Sequence, residues 1–390
     1  MQEIFIQTDD QRAILETVRR FVEDEVTPRS AELDANTDPE ESYSWEIVEK
    51  AHEVGIRQMT LAEEYGGLGL TMTEEIEVAI RLGGTTPAFR SIFGTNIGIG
   101  SQGIVMDGTP QQKAHYLPKL ASGEMISSFA LTEPEAGSDA GSLKTSARLD
   151  GDHYVLNGTK RFITNSPSAD IFTLMARTDP DTPGAKGISA FIVERNSPGL
   201  SVGSPDKKMG QQGAKTADVI LEDCRVPAAN IIGGVAGVGF KTAMKVLDRG
   251  RLHISAVSVG IAERLIKECV NYASERKQFG KAIAEFQLIQ AMLADSKAES
   301  YAARTMVFDA AKKKEAGENI TLEAACCKMF ATEMVGKVAD RAVQIFGGAG
   351  YLSEYPIERL YRDVRLFRIY EGTTQIQQLV IARELLKAAE

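Results

Sequence analysis

The spacing of apolar residues changes twice along the 390-residue chain, and each change marks a different architecture. Over residues 9–125 the spacing is helical. Ile14, Val18, Phe21, Val22 and Val26 share one helical face, with Asp9 or Asp10 as its N-cap. Residues 126–235 have the texture of strands. There His153–Leu156 and Lys160–Thr164 flank Asn157-Gly158, a pair that tolerates the positive φ of a tight turn, so the pattern predicts a hairpin. Ile188–Val193 and Asp218–Leu221 predict further strands, with turns at Pro198-Gly199 and Gly233-Gly234. From residue 238 the helical period returns. It predicts long helices over Val246–Lys277, Ile289–Ala316 and Leu322–Phe346, and a last one after Gly372 carrying Ile376, Leu379, Val380 and Leu385 on one face. The expected fold is mainly α with a central β domain: an N-terminal helical domain (1–125), a β domain (126–235) and a C-terminal helical domain (236–390). Several cores suit a chain of this length. Helices this long and apolar predict burial against other subunits, hence an oligomer.

Charge and cysteine usage narrow the chemistry. With 44 basic and 54 acidic residues the net charge is −10, which argues against nucleic acid as a partner. Cys224, Cys269, Cys326 and Cys327 have the spacing of neither a zinc site nor a disulfide framework, and four histidines add little, so no metal is expected. The N-terminal MQEIFIQTDD lacks the pattern of a signal or transit sequence, so none is expected, and no apolar run is long enough to span a bilayer. A reducing compartment, the cytoplasm, is the expectation.

Five segments carry candidate chemistry. In Ala130–Asp139 (ALTEPEAGSD), Pro134 and Gly137 force a turn that exposes backbone N–H groups and the hydroxyls of Thr132 and Ser138, able to hold a ring edge or an anion, or simply to cap a turn. Arg161–Asn165 (RFITN) sets Phe162 and Thr164 two residues apart, which on a regular strand presents a flat ring and a hydroxyl on one face. Glu275–Lys281 (ERKQFGK) ends a long helix, where Arg276 suits a pyrophosphate or merely the helix dipole. Gln344–Gly350 (QIFGGAG) lets backbone approach a ligand or ends a helix; it neither follows a strand nor opens a βαβ unit, so it is no nicotinamide fingerprint. Ile369–Gln375 (IYEGTTQ) places Glu371 beside an aromatic at a loop–helix junction, where desolvation raises a carboxylate toward a useful general base.

In this order, from Ala130 to Gln375, the five motifs resemble the acyl-CoA dehydrogenase family along its full length. The resemblance implies a β-barrel-like middle domain, a C-terminal four-helix bundle, and FAD held between these domains and a neighbouring subunit of a homotetramer. It implies that Phe129, Leu131, Thr132 and Ser138 hold the flavin's polar edge. Phe162, Ile163 and Thr164 correspond to the segment against the ring system. Arg276, Gln278, Phe279 and Gln287, with Gln344, Gly347 and Gly348, correspond to positions on the diphosphate and adenosine side, Arg276 reaching across the subunit boundary. Thr373 and Gln375 match further FAD contacts. Ser138, Asp248, Arg251, Gly372 and Arg383 match positions around the CoA thioester. Glu371 is the implied base, taking the α-proton while the β-hydrogen leaves as hydride to flavin N5, with electrons passing to an electron-transfer flavoprotein. A minority of the family carries its glutamate at the position of Gly250, leaving Glu371 the base here. The expected substrate is a short- or medium-chain acyl-CoA. As alternatives, Phe89-Arg90-Ser91 is similar to the segment with which glutaryl-CoA dehydrogenases bind a distal carboxylate, although that family's serine and glutamate correspond to Gly94 and Gly83; or the chain binds CoA or flavin without turnover.

Overall fold

The computed structural model describes residues 9–35 and 45–387. The N-terminal helices are α1 (Asp9–Phe21), α2 (Ser30–Ala35), α3 (Trp45–Glu53), α4 (Met72–Gly83), α5 (Pro87–Phe93), α6 (Ser101–Asp107) and α7 (Pro110–Ser122). The strands are β1 (Ser127–Ala130), β2 (Ser146–Asp150), β3 (His153–Thr164), β4 (Ile171–Arg177), β5 (Ile188–Glu194), β6 (Leu200–Val202) and β7 (Thr216–Pro227). Four long or terminal helices follow: α8 (Gly239–Glu275), α9 (Gln287–Glu315), α10 (Thr321–Phe346) and α12 (Thr374–Lys387), with the short α11 (Pro356–Val364) before the last. Mainly α with a central β domain is therefore the observed class. No helix among the described residues is long and apolar enough to cross a membrane.

The sheet is mixed and curled. Its path runs β1-β4-β2-β3-β7-β6, with β5 antiparallel to β4; β1 and β4 are parallel. Its inner face buries Leu156, Phe172, Leu174, Phe191 and Val219. A second core joins α4 to the bundle of α8, α9 and α10, through Ile76, Ile80, Val257, Val307 and Val335. Where α4 crosses α8 the backbones nearly touch. A Cβ on Gly260 would lie 1.9 Å from the Ile80 carbonyl oxygen, and one on Gly83 would lie 2.6 Å from that of Val257. Only glycine permits this approach, so position 83 has no room for the glutamate of the glutaryl-type segment.

One expectation fails. Asn157-Gly158 is not a hairpin turn: β3 runs straight through it. The true turn is at Gly151-Asp152, one strand earlier, between β2 and β3. Gly158 instead sits in a bulge against β7, pressed on Thr145, while Asn157 hydrogen-bonds across to Asp223. Asn-Gly supplies the same backbone freedom to a bulge as to a turn, and local pattern cannot separate the two.

Candidate active site

Backbone strain collects around one cavity. Among the described residues six non-glycines have positive φ, and Phe162 (59°), Gln211 (51°) and Glu371 (54°) all line the same space of about 470 Å³ between the sheet, α5, α8 and the segment before α12. Left-handed backbone at side chains of this size costs of order 1–3 kcal/mol each and persists only where the surroundings enforce it.

The enforcement at Glu371 is explicit. The Lys328 Nζ donates to the Gly372 carbonyl at 2.6 Å. Gln377 Nε2 donates to the same oxygen at 3.0 Å and to the Glu371 carbonyl at 3.3 Å. Arg251 Nε approaches that carbonyl at 3.4 Å and is itself held by Asp248 at 2.7 Å. Pinned by its backbone, Glu371 lines the cavity, and its buried Oε2 has no hydrogen-bond partner. Burial raises its pKa above the ordinary carboxylate value, against the opposing pull of Arg90, Lys328 and Arg251. Gly250 forms the wall behind it: a Cβ there would lie 2.3 Å from Oε2. The Glu371 N–H has no acceptor among the described residues and remains available to a ligand.

The opposite wall comes from β1, the turn after it, and β3. Phe129, Leu131, Thr132, Ser138, Phe162, Ile163 and Thr164 all line the cavity. Their placement rests on a buried ion pair. Lys160, fully buried, donates to Glu133 at 2.7 Å and to the Leu131 carbonyl at 3.1 Å, while Glu133 also accepts from the Lys144 and Thr145 N–H groups. Phe162 and Thr164 do share the cavity, but not by regular alternation. The pairing of β3 with β7 shifts register between Lys160 and Ile163, and the left-handed Phe162 leaves its ring 60% exposed.

Arg90 and Gly372 complete the lining from α5 and the turn before α12. Arg90 is buried, yet among the described residues its guanidinium makes no hydrogen bond or ion pair; a Cβ on Gly94 would lie 2.5 Å from its guanidinium carbon. Arg276, Gln278, Phe279, Gln287, Gly347 and Gly348 line a second, open recess of about 1110 Å³, where Phe279 is left-handed and 93% exposed. One chain thus divides most of the expected cofactor residues between two places. Neither recess includes Asp248, Gln344, Thr373, Gln375 or Arg383. Asp248 braces Arg251, Thr373 caps α12 through the Ile376 N–H, Gln344 and Gln375 are exposed, and Arg383 pairs on the surface with Glu384.

Three family profiles match in tandem: the acyl-CoA dehydrogenase N-terminal domain over residues 8–124, the middle domain over 128–224 and the C-terminal domain over 237–386. The chain belongs to the acyl-CoA dehydrogenase family. The acryloyl-CoA reductase (NADH) of Anaerotignum propionicum is 43% identical over 385 residues, 98% of this chain and 96% of the relative. The butyryl-CoA dehydrogenase structure from Megasphaera elsdenii superposes with a TM-score of 0.94 at 37% identity, covering 98% of this chain and 100% of that one. An acyl-CoA dehydrogenase from Bacillus anthracis complexed with FAD gives a TM-score of 0.92 at 37% identity, over 100% of this chain and 68% of the other. The protein is thus an oxidoreductase of CH–CH bonds, and FAD is its expected cofactor.

Sequence reasoning missed the scaffolding: Lys328, Gln377, Gln211 and the Lys160–Glu133 pair. Lys328 left one signal, a lysine spaced with Ala324, Ala331 and Val335 on an otherwise apolar helical face.

Proposed function

We propose that the chain oxidises a short- or medium-chain acyl-CoA to its trans-2-enoyl-CoA, with Glu371 as the base. The observation that carries this reading is a glutamate that lines the cavity on a strained backbone, its carboxyl pKa raised and one oxygen unpartnered. The residues suit FAD. An exposed Phe162 ring, the Thr164 hydroxyl and the turn at Leu131–Thr132 offer a stacking face and polar donors. Gly347 and Gly348, where an added Cβ would meet nothing within 4 Å, leave the second recess open beside Arg276, whose planar fork suits a pyrophosphate. Because one chain separates these two groups, a neighbouring subunit of a homotetramer is the natural source of the second.

When bound, FAD supplies the acceptor for the hydride leaving the substrate β-carbon. Glu371 takes the α-proton. Its N–H donates to the thioester carbonyl, stabilising charge that develops on that oxygen. An acyl chain entering the cavity expels water, which raises the carboxylate pKa further and matches it to the acidified α-proton. Electrons then pass to an electron-transfer flavoprotein. The same atoms serve the reverse reduction, in which a protonated Glu371 returns the proton.

A second reading concerns the substrate alone. The buried, unpartnered Arg90 guanidinium lines the same cavity as Glu371, an arrangement suited to a distal carboxylate. Anaerobic titration of the FAD-loaded protein with butyryl-, octanoyl-, isovaleryl- and glutaryl-CoA tests both readings. Bleaching of the flavin by the monocarboxylyl thioesters supports the first, and preferential bleaching by glutaryl-CoA the second. Glu371→Gln is expected to lose bleaching at least about 10³-fold while keeping FAD. Undiminished bleaching would exclude Glu371 as the base.

A further inference from the structure

Below the Glu371-Gly372 turn lies a buried cation that the reaction outlined above does not use. Lys328, in the middle of α10, is fully buried, and the only hydrogen bond of its ammonium among the described residues is the 2.6 Å contact from Nζ to the Gly372 carbonyl. An ammonium has three donors, and leaving two unused away from water is costly unless a nearby anion compensates. The charged groups around it are few. Glu371 sits at the turn it holds, Arg251 comes from α8, and Glu333, one turn further along α10, is engaged by Thr374 at 2.7 Å and Arg368 at 3.4 Å. With Arg251 committed to Asp248 at 2.7 Å and Glu333 to two partners, the carboxylate left to balance Lys328 is Glu371.

We propose that Lys328 is a positioning residue for the base: it pins the Gly372 carbonyl, holds Glu371 in its left-handed conformation and, after Arg90, adds positive charge that favours the ionised carboxylate. The inference deepens the reading of Glu371 as the base and rests on it. The two contributions are separable, one a hydrogen bond to backbone and the other a charge acting through space. Burial pushes Lys328 itself down to about 8, so its charge is present through neutral pH and is lost above it. The other groups facing Glu371 are Arg90 from α5, Arg251 from α8 and the buried Tyr370 hydroxyl beside it. Removing Lys328 leaves the two arginines as the remaining cations.

The test follows the protonation of Glu371 directly, in the purified FAD-containing protein. The infrared band of a protonated carboxyl that disappears in Glu371→Gln is titrated against pH in wild type, Lys328→Met, Lys328→Gln and Lys328→Arg. Lys328→Met removes donor and charge; Lys328→Gln keeps an N–H for the Gly372 carbonyl and removes only the charge. Both are expected to bind the Glu371 proton about tenfold more tightly, with the midpoint moving up accordingly, while Lys328→Arg stays near wild type. If Lys328→Met does not fold, Lys328→Gln decides alone. An unchanged midpoint in the neutral variants overturns the proposal, because a purely structural lysine would alter stability without moving this band. Butyryl-CoA bleaching, run alongside, should show its acid limb displaced by the same amount. A wild type whose band titrates but whose flavin no acyl-CoA bleaches would count against the dehydrogenase reading, while the Lys328 result would still stand.

Discussion

Glu371 works against the stability of the fold it belongs to. Its backbone stands at φ 54°, and burial raises the pKa of its carboxyl. The consequence for pH follows from linkage. A carboxyl whose pKa is higher in the folded state binds more protons there than in the unfolded chain. Its stabilising contribution is therefore complete below the ordinary carboxylate pKa of 4.5 and lost as pH rises through the folded value. Glu371→Gln has no such proton to lose. Thermal melts from pH 5 upward should show the variant gaining stability relative to wild type as pH rises, with the gap closing toward pH 4.5. A gap that stayed constant would contradict the raised pKa.

At the scale of elements, the α4–α8 crossing and the open glycines of the second recess make opposite predictions for one substitution. Gly260→Ala drives a methyl into the Ile80 carbonyl and is expected to cost about 2–3 kcal/mol in urea unfolding, by forcing two helices apart. Gly348→Ala meets nothing within 4 Å and should leave stability within about 0.5 kcal/mol. Elements of this kind were legible in the sequence to different degrees. The long helices declared themselves because their apolar period is sustained over many turns, and α9 and α10 begin and end within two residues of expectation. Asn157-Gly158 misled because a bulge and a hairpin ask the same freedom of the backbone. Phe162 and Thr164 could be placed together from their spacing, but not the kink that aims the ring. The supports of Glu371 were illegible for a physical reason. Lys328, Gln377 and Arg251 lie 43 residues before, six after and 120 before it, and only the tertiary fold brings their donors to two adjacent carbonyls.

For the whole molecule, the division of candidate cofactor residues between two recesses makes FAD binding a test of the proposed assembly. Arg276 and Phe279 lie at an exposed corner where α8 ends, and Phe279 is almost wholly exposed in the single chain. If a neighbouring subunit delivers that corner to the cavity beside Phe162, then Arg276→Gln should lower FAD occupancy of the assembled protein, read from the flavin-to-protein absorbance ratio after gel filtration. The chain should remain folded, because Arg276 makes no ion pair among the described residues. Full FAD occupancy in that variant would place the pyrophosphate elsewhere.

Gly250 leaves a space smaller than a methyl group behind the Glu371 carboxylate, and that gap constrains how such a site changes over evolutionary time. A side chain at position 250 would meet the Glu371 carboxylate at its first carbon, so it could enter only if that carboxylate swung away. If Glu371 is the base, as proposed, surrendering it first leaves a chain without one. On the proposed reading of Glu371 as the base, an acid at position 250 and the loss of Glu371 share one space, so the two replacements are expected to depend on each other rather than to add.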